Sequence, residues 1–158
     1  MNVEIYTDGS GTVSGPMGWA FVVVVDGEIK REFSDNSCEG TNNLAELKAV
    51  ISAFEYATDK GLPEVTIRSD SRYVVDAINQ RWILKWARNK WKNARHRPTA
   101  NREQWETLLR LLLTSQTELV IKHVKGHSGN PYNDRADELA GIKRRDLIAR
   151  TVIFSTVL

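Results

Sequence analysis

The chain has 158 residues, of which 41% are hydrophobic and 27% are charged, and its formal net charge is +2. This length and composition fit a globular protein and exclude a chain that is disordered throughout. A single cysteine, Cys38, excludes an intramolecular disulfide, and the longest apolar run, 19–25, is too short to span a bilayer. Because no signal peptide is recognisable either, we expect one domain over 1–158, in the cytoplasm and without membrane attachment.

Strand and helix patterns follow one another in an order typical of an α/β domain. Runs of β-branched residues bounded by turn residues predict five strands, over 2–8, 18–25, 28–34, 64–69 and 117–124. Helical periodicity predicts five helices, over 43–59, 71–80, 82–88, 101–114 and 131–146. The pair Asp26-Gly27 predicts a tight hairpin between the second and third strands. This order predicts a five-stranded mixed sheet flanked by helices, with an antiparallel meander followed by parallel strands.

The last eight residues, 151–158, form an apolar tail rich in β-branched residues. A tail of this kind favours aggregation when it is left free. We therefore expect it to add an extra edge strand to the sheet or to pack on the domain.

Four acidic residues occupy positions where a globular domain rarely places charge. Asp8 and Asp70 each close a strand-like run, and neighbouring strands lie only about 4.8 Å apart, so two such carboxylates can share a metal ion. Glu46 falls on the apolar arc of the first predicted helix, and Asp137 shares a stripe with small residues on the last one. Carboxylates that converge repel one another and lose hydration, so a divalent cation, Mg²⁺ in particular, is their usual partner.

Each of these positions also has a purely structural interpretation. Asp8 and Asp70 can be ordinary turn or cap residues, and Glu46 can pair with a buried arginine. The glycine-rich loop 125–131 carries His127, whose imidazole suits proton transfer near neutral pH. His123, inside the last predicted strand, is expected to be a packing residue.

The basic residues are concentrated in one segment, 81–102. It contains eight basic residues and no acidic one, so the rest of the chain has 14 basic and 20 acidic residues. Such a distribution favours binding to a polyanion. Three tryptophans interleave with these cations, and we expect Trp82 to anchor a short helix while Trp86 and Trp91 contact nucleic acid.

Four short motifs occur in an order that points to a family. They are Tyr6-Thr7-Asp8-Gly9-Ser10, Thr41-Asn42-Asn43-Leu44-Ala45-Glu46-Leu47, Ser69-Asp70-Ser71, and Gly126-His127-Ser128-Gly129-Asn130-Pro131 through Asp137-Glu138-Leu139-Ala140. In this order they resemble the signatures of bacterial type 1 ribonuclease H (ribonuclease HI), and the resemblance covers residues 2–141. Residues 82–91 further resemble the basic handle of many bacterial members, expected here over about 81–102.

The resemblance implies a ribonuclease H-like α/β fold and hydrolysis of the RNA strand of RNA·DNA hybrids, giving 5′-phosphate and 3′-hydroxyl ends. Two Mg²⁺ ions per active site, with Mn²⁺ as an alternative, would be the cofactors. By similarity, Asp8 bridges both ions, Asp137 binds the ion that activates water, and Glu46 and Asp70 hold the other ion. His127 would assist proton transfer or product release, and we expect the protein to act as a monomer.

Substrate-binding residues are expected in two groups. Those beside the catalytic positions are Thr41, Asn42, Asn43 and Arg72, and those of the handle are Lys85, Trp86, Arg88, Lys90, Trp91 and Lys92. Thr41 is equally suited to capping the helix that holds Glu46. Arg72 stands where the family more often has glutamine, and the loop 11–18 lacks the asparagine often used there for substrate contact.

Two other functions remain open on the sequence alone. The first is a non-catalytic module that binds hybrids through the same scaffold. The second is a DNA nuclease of the same broad fold, such as a resolvase or a transposase-like enzyme, because a fold does not decide the substrate.

Overall fold

The computed structural model of the protein describes residues 2–157, with the backbone alone at residues 151 and 153–157. Within these residues the chain forms five strands and five helices, as the α/β prediction requires. In chain order they are β1 (Val3–Ser10), β2 (Met17–Val25), β3 (Glu28–Ser37), α1 (Asn42–Asp59), β4 (Glu64–Ser69), α2 (Arg72–Asn79), α3 (Trp82–Arg88), α4 (Arg102–Thr114), β5 (Glu118–His123) and α5 (Pro131–Val157).

The strands form one mixed sheet in the order β3-β2-β1-β4-β5. Antiparallel pairing joins β1 to β2 and β2 to β3, whereas β1–β4 and β4–β5 are parallel. Asp26 and Gly27 turn the chain between β2 and β3 with φ of 51° and 83°, the left-handed backbone that suits a two-residue hairpin. The predicted meander and parallel crossovers are confirmed.

Strand β1 is longer than predicted, which changes the place of Asp8. The strand continues through Gly9 and Ser10, which pair with Trp19 and Gly18 of β2. Pairing with β4 stops earlier, at Thr7 opposite Ser69. Asp8 therefore lies inside β1 rather than at its end, but it is the first residue beyond the parallel ladder.

The core lies on both faces of the sheet because successive strand residues point to opposite sides. Ile5 belongs to the larger cluster, which includes Phe54 of α1 and the fully buried Trp105 of α4. Tyr6 belongs to a second cluster under α5, with Ala136. Helices thus cover both faces of the sheet.

The expectation of an extra C-terminal edge strand is wrong. Residues 151–157 continue α5 as helix, and β3 and β5 are the edges of the sheet. No proline follows Pro131 and no glycine follows Gly141, and extending an existing helix adds one hydrogen bond per residue. This gain outweighs the weak strand preference of the β-branched residues in the tail.

The alternative expectation, that the tail packs on the domain, is only partly within the described residues. Val152 is exposed, and the side chains of 153–158 lie outside the description. Across residues 2–157, no helix combines the length and the apolar character needed to cross a membrane.

Candidate active site

Asp8 and Asp70 meet where the parallel pairing of β1 and β4 ends. Each follows directly on a member of the last pair, Thr7 opposite Ser69, so the two carboxylates leave neighbouring strands side by side. Asp8 exposes only 4% of its surface, and Asp70 is half-buried. The sheet alone therefore brings two of the four predicted carboxylates together.

Glu46 reaches the same point from α1. Thr41 caps this helix, since its Oγ1 accepts a hydrogen bond from Leu44 N at 3.1 Å. Gly9 lets the helix lie directly against β1, because a Cβ on that residue would collide with the backbone of Ala45 and Glu46. As a result Glu46, with 4% of its surface exposed, stands next to Asp8.

Three carboxylates form a compact group. One carboxylate oxygen from each of Asp8, Glu46 and Asp70 lies within 4.8 Å of the other two. Asp137, on α5, is exposed at the rim of the same cleft. The Asp8 carboxyl is central, since Glu46, Asp70 and Asp137 all help to raise its pKa.

The loop before α5 brings His127 to the cleft. Asn130 caps α5, its Oδ1 accepting from the backbone N–H groups of Tyr132 at 3.0 Å and Asn133 at 3.1 Å. His127 is exposed, lines the cleft and has a left-handed φ of 53°. Gly126 packs so closely that an added Cβ would lie 2.8 Å from Asp70 Oδ2.

Burial and mutual repulsion disfavour the charged form of this group. Burial, followed by the charge of Glu46, raises the pKa of Asp8 well above its usual range. Burial also raises the pKa of Glu46, although a hydrogen bond with Asp8 opposes the shift. The pKa of Asp70 is raised by burial and by Asp137, with His127 and His123 acting in the opposite direction.

The donor set fits a divalent cation of the Mg²⁺ type. Glu46 Oε2 is buried and, within residues 2–157, has no hydrogen-bond partner. No lysine or arginine among these residues forms an ion pair with Asp8, Glu46, Asp70 or Asp137, so the buried-arginine interpretation of Glu46 is not supported. A hard cation bound by several carboxylate oxygens would satisfy the free oxygen and remove the repulsion.

The structure brings some of the predicted substrate-binding residues to this site and leaves others outside it. A cleft of about 460 Å³ is lined by Asn42, Asn43 and Arg72 together with the four carboxylates and His127. The side chain of Arg72 is 68% exposed, and its Nη1 lies 3.9 Å from Asp76. The predicted handle residues, 85–92, are not part of this lining.

The basic segment 81–102 consists of α3 with Arg81 before it, the irregular stretch 89–101, and Arg102 at the start of α4. Trp82 packs partly buried against the core, as expected of an anchor. Trp86 and Trp91 also pack there, and the Trp86 ring meets that of Trp105 edge-on, with centroids 5.3 Å apart. Packing therefore accounts for the buried part of both rings, and their contact with nucleic acid stays a prediction.

Sequence reasoning missed two residues near the site. Tyr73 lines the cleft beside Arg72, and a signal for it existed because the first turn of a helix that follows Asp70 must face the same end of the sheet. His123 pairs with Ser69 at the end of β5 and lies close enough to Asp70 to help lower the pKa of that carboxyl. No local pattern marked it.

Comparison with known proteins agrees with the geometry. The family model described as RNase H matches residues 1–144. The ribonuclease H of Chlorobium chlorochromatii is 41% identical over 150 residues, covering 94% of this chain and 97% of that protein. The ribonuclease H of Chlorobium phaeovibrioides is 40% identical, covering 90% of this chain and 95% of that protein.

Solved structures give the same result. RNase H1 from Halobacterium salinarum has a TM-score of 0.70 at 29% identity, covering 92% of this chain and 99% of that one. LC11-RNase H1, solved in complex with an RNA/DNA hybrid, has a TM-score of 0.72 at 25% identity, covering 93% and 99%. A matched family model, close relatives over nearly the whole length and a shared fold lead to one conclusion: the chain belongs to the ribonuclease H family, among the bacterial type 1 enzymes.

Proposed function

We propose that the protein is an endoribonuclease that hydrolyses the RNA strand of RNA·DNA hybrids with the help of divalent cations. The observation that carries this proposal is the compact group of three carboxylates, Asp8, Glu46 and Asp70, with one oxygen of each within 4.8 Å of the others. Glu46 also has a buried oxygen, Oε2, without a hydrogen-bond partner among the described residues. Membership of the ribonuclease H family supports the same activity, as does the hybrid bound by the related LC11-RNase H1.

Asp8, Glu46, Asp70 and Asp137 are the proposed ligands of two Mg²⁺ ions. When bound, paired divalent ions supply charge stabilisation for the attacking and leaving oxygens of an in-line phosphoryl displacement. Asp8 lies beside Glu46 and Asp70 in a cleft that Asp137 also lines, and this place suits a ligand shared between two ions. Asp137, exposed at the rim, suits a ligand on the side from which water enters.

His127 is proposed to move a proton at the cleavage site. In hydrolysis water loses a proton and forms the new bond to phosphorus, the bond from phosphorus to the 3′-oxygen breaks, and that oxygen takes up a proton. An exposed imidazole on the cleft lining can transfer such a proton or assist departure of the 5′-phosphate. Its place on a loop outside the buried group suits a helpful rather than an indispensable role.

The cleft lining supplies the proposed means of recognising RNA. Asn42 and Asn43 are exposed at the start of α1, where their amides can hydrogen-bond to 2′-hydroxyls across the minor groove. The exposed guanidinium of Arg72 can bind a phosphate with two N–H groups. Thr41 accepts from Leu44 N, which leaves its hydroxyl proton free for a phosphate oxygen.

The basic segment 81–102 is proposed to be the handle that holds the hybrid outside the cleft. Its exposed cations can bind phosphates without regard to sequence. The proposed contacts are Lys85, Trp86, Arg88, Lys90, Trp91 and Lys92. We also infer that the chain is one domain over residues 1–158 that acts as a monomer in the cytoplasm.

A cleavage assay on three duplexes of one sequence tests the proposal. Hybrid, all-DNA and all-RNA versions, labelled on one strand, are incubated with the protein and Mg²⁺. We expect cleavage of the RNA strand of the hybrid alone, with 5′-phosphate and 3′-hydroxyl ends. Asp8→Asn should lower the rate at least about 100-fold while hybrid binding persists, because a shared metal ligand is lost.

The control is Asp26→Asn, which removes the same charge in the β2–β3 turn, where asparagine also accepts a left-handed backbone. It should cleave like the wild type. Cleavage of the all-DNA duplex would favour the DNA nuclease, and hybrid binding without cleavage by the wild type would favour the non-catalytic module.

A further inference from the structure

Tyr73 joins the lining of the cleft to the basic segment 81–102. It is the second residue of α2, next to Arg72, and its hydroxyl accepts two hydrogen bonds. The donors are Asn101 Nδ2 at 3.1 Å and Trp105 Nε1 at 2.9 Å. The Tyr73 ring also meets the Trp105 ring edge-on, with centroids 5.5 Å apart, so both ring and hydroxyl are fixed.

Asn101, near the end of the basic segment, directs its side chain to Tyr73 instead of to its own helix. It is the N-cap residue of α4, yet its side chain makes no capping hydrogen bond to that helix. An asparagine at this position ordinarily accepts from the first turn of the helix and stabilises it. Here a left-handed φ of 59° turns the residue so that its amide donates to the tyrosine.

The beginning of the basic segment reaches Tyr73 through Trp105. The Trp105 ring is fully buried and contacts the ring of Trp86, which lies in α3 beside Lys85. Both ends of the segment therefore converge on the pair formed by Tyr73 and Trp105.

Between these two attachments, the chain is held by its own hydrogen bonds. Thr99 N donates to Trp91 O at 2.9 Å, and Asn93 Oδ1 accepts from the backbone N–H groups of Arg95 at 2.9 Å and Arg97 at 3.1 Å. Within the part of the chain that the structure describes, the bond from Asn101 to Tyr73 is the only side-chain hydrogen bond from 81–101 to another element. The segment is thus an ordered unit whose polar tether is this tyrosine.

We infer that Tyr73 is a positioning residue that sets the basic segment relative to the catalytic carboxylates, so that a duplex held by the cations enters the cleft in register. The inference rests on the proposed function. A binding surface that is already in place does not have to be ordered when the substrate arrives, and this lowers the cost of binding. Losing the tether should therefore weaken hybrid binding more than it slows the chemical step.

The test compares Tyr73→Phe with Tyr132→Phe. Tyr132 is a matched control because its hydroxyl also makes a hydrogen bond to a distant part of the chain, donating to Gly27 O at 2.6 Å, but at the β2–β3 turn. We expect Tyr73→Phe to raise KM for the hybrid roughly three- to tenfold with little change in kcat, because two donors lose their acceptor. Tyr132→Phe should leave both constants unchanged although it also lowers the melting temperature.

A second variant keeps the inference testable if Tyr73→Phe folds poorly. Asn101→Gly removes the amide and retains a residue that tolerates the left-handed backbone. It should also raise KM for the hybrid. The double variant should have the same KM as Tyr73→Phe, because the two side chains act through one hydrogen bond. An unchanged KM in both single variants, or fully additive effects in the double variant, would overturn the inference.

Failure of the proposed function is distinguishable from failure of this inference. If the wild type cleaves no hybrid, the proposed function is wrong, and amide hydrogen exchange over 89–101 then tests the tether without any substrate. Faster exchange in Tyr73→Phe than in Tyr132→Phe would support the positioning role, and equal exchange would overturn it.

Discussion

Asp8 and Glu46 lie side by side with 4% of their surfaces exposed, and their charge has no basic partner among the described residues. Burial is the larger cause of their raised pKa values, and repulsion adds to it. In the absence of a cation, the folded protein therefore holds protons that an unfolded chain would release. A bound cation reverses this preference because it favours the charged carboxylates.

This difference predicts an unusual pH dependence for the metal-free protein. A raised folded-state pKa contributes stability that is present below the ordinary carboxyl values of 3.8 and 4.5, and that contribution is lost as the pH rises through the raised pKa values. We expect the melting temperature of wild type in chelator to fall, relative to Glu46→Gln, as the pH rises from acidic to mildly alkaline.

The comparison with Glu46→Gln isolates the site from other groups. Glu4, for example, is hydrogen-bonded to Arg68 at 2.7 Å, which lowers its pKa, so its contribution to stability is lost in the opposite direction, as the pH falls. Both proteins share that contribution. If the melting temperatures of the two proteins changed with pH in the same way, the prediction would be contradicted.

The four carboxylates could be found from the sequence because each stands out in its own local pattern. Asp8 and Asp70 close strand-like runs, and Glu46 interrupts the apolar arc of α1. Tyr73 could not be found in this way, since its partners Asn101 and Trp105 are 28 and 32 residues away. The same partner, Trp105, explains why Trp86 packs more deeply than its basic surroundings suggest.

The elements of the fold position the site through close approaches as well as through hydrophobic burial. Gly9 brings β1 against the start of α1, and Gly126 lets the loop before α5 pass beside Asp70. Thr41, Ser71 and Asn130 cap the helices α1, α2 and α5 that lie at this end of the sheet. These helix starts therefore have defined positions relative to the carboxylates.

Gly9→Ala tests the contact between β1 and α1. The added Cβ would overlap the backbone of Ala45 and Glu46, so the helix must shift and carry Glu46 away from Asp8. We expect a lower melting temperature, by several degrees, and a loss of cleavage that is out of proportion to it.

The matched control is Gly141→Ala, in α5. There an added Cβ meets only the flexible end of Arg145, at 3.0 Å, and alanine is the better helix former. This variant should keep its activity and its melting temperature. A Gly9→Ala protein that behaves like Gly141→Ala would show that the close approach is not needed.

The type of each element was predictable because the hydrophobic periodicity and the turn residues that bound it agree along most of the chain. The cap predicted at Thr41 is confirmed, and Ser71 and Asn130 cap α2 and α5 in the same way. The C-terminal tail was mispredicted because local β preference at 151–157 competes with the extension of α5, and propensity alone does not weigh that extension. The extra length of β1 was not predicted either, because Gly9 and Ser10 become strand only through their pairing with β2, which the residues around them do not reveal.

The whole molecule separates its charges. Eight cations lie on 81–102, and the remainder of the chain has an acidic excess, so the net charge of +2 describes neither part. A polyanion approaching this protein is attracted to the segment that Tyr73 ties to the cleft. Attraction by exposed cations is reduced by salt, which gives the arrangement a measurable consequence.

Hybrid binding should therefore weaken steeply with salt, and neutralising Arg88, Lys90 and Lys92 to Gln should flatten that dependence. Each phosphate contact contributes roughly 0.7 to 0.9 to the slope of log K against log salt. The control neutralises three exposed basic residues outside the segment, Lys60, Arg110 and Arg150. Equal slopes in the two triple variants would contradict the proposal that the basic segment holds the hybrid.

Cation binding by the carboxylates can be measured by a magnesium titration at neutral pH without nucleic acid, with the melting temperatures of wild type and Asp8→Asn as the readout. Without metal, wild type should melt at the lower temperature, because its carboxylates lose hydration and repel one another, and Mg²⁺ should raise its melting temperature to a plateau. Asp8→Asn should start higher and respond weakly. A wild-type melting temperature that does not respond to Mg²⁺, or an equal response in Asp8→Asn, would contradict the claim that these carboxylates form a cation-binding active site.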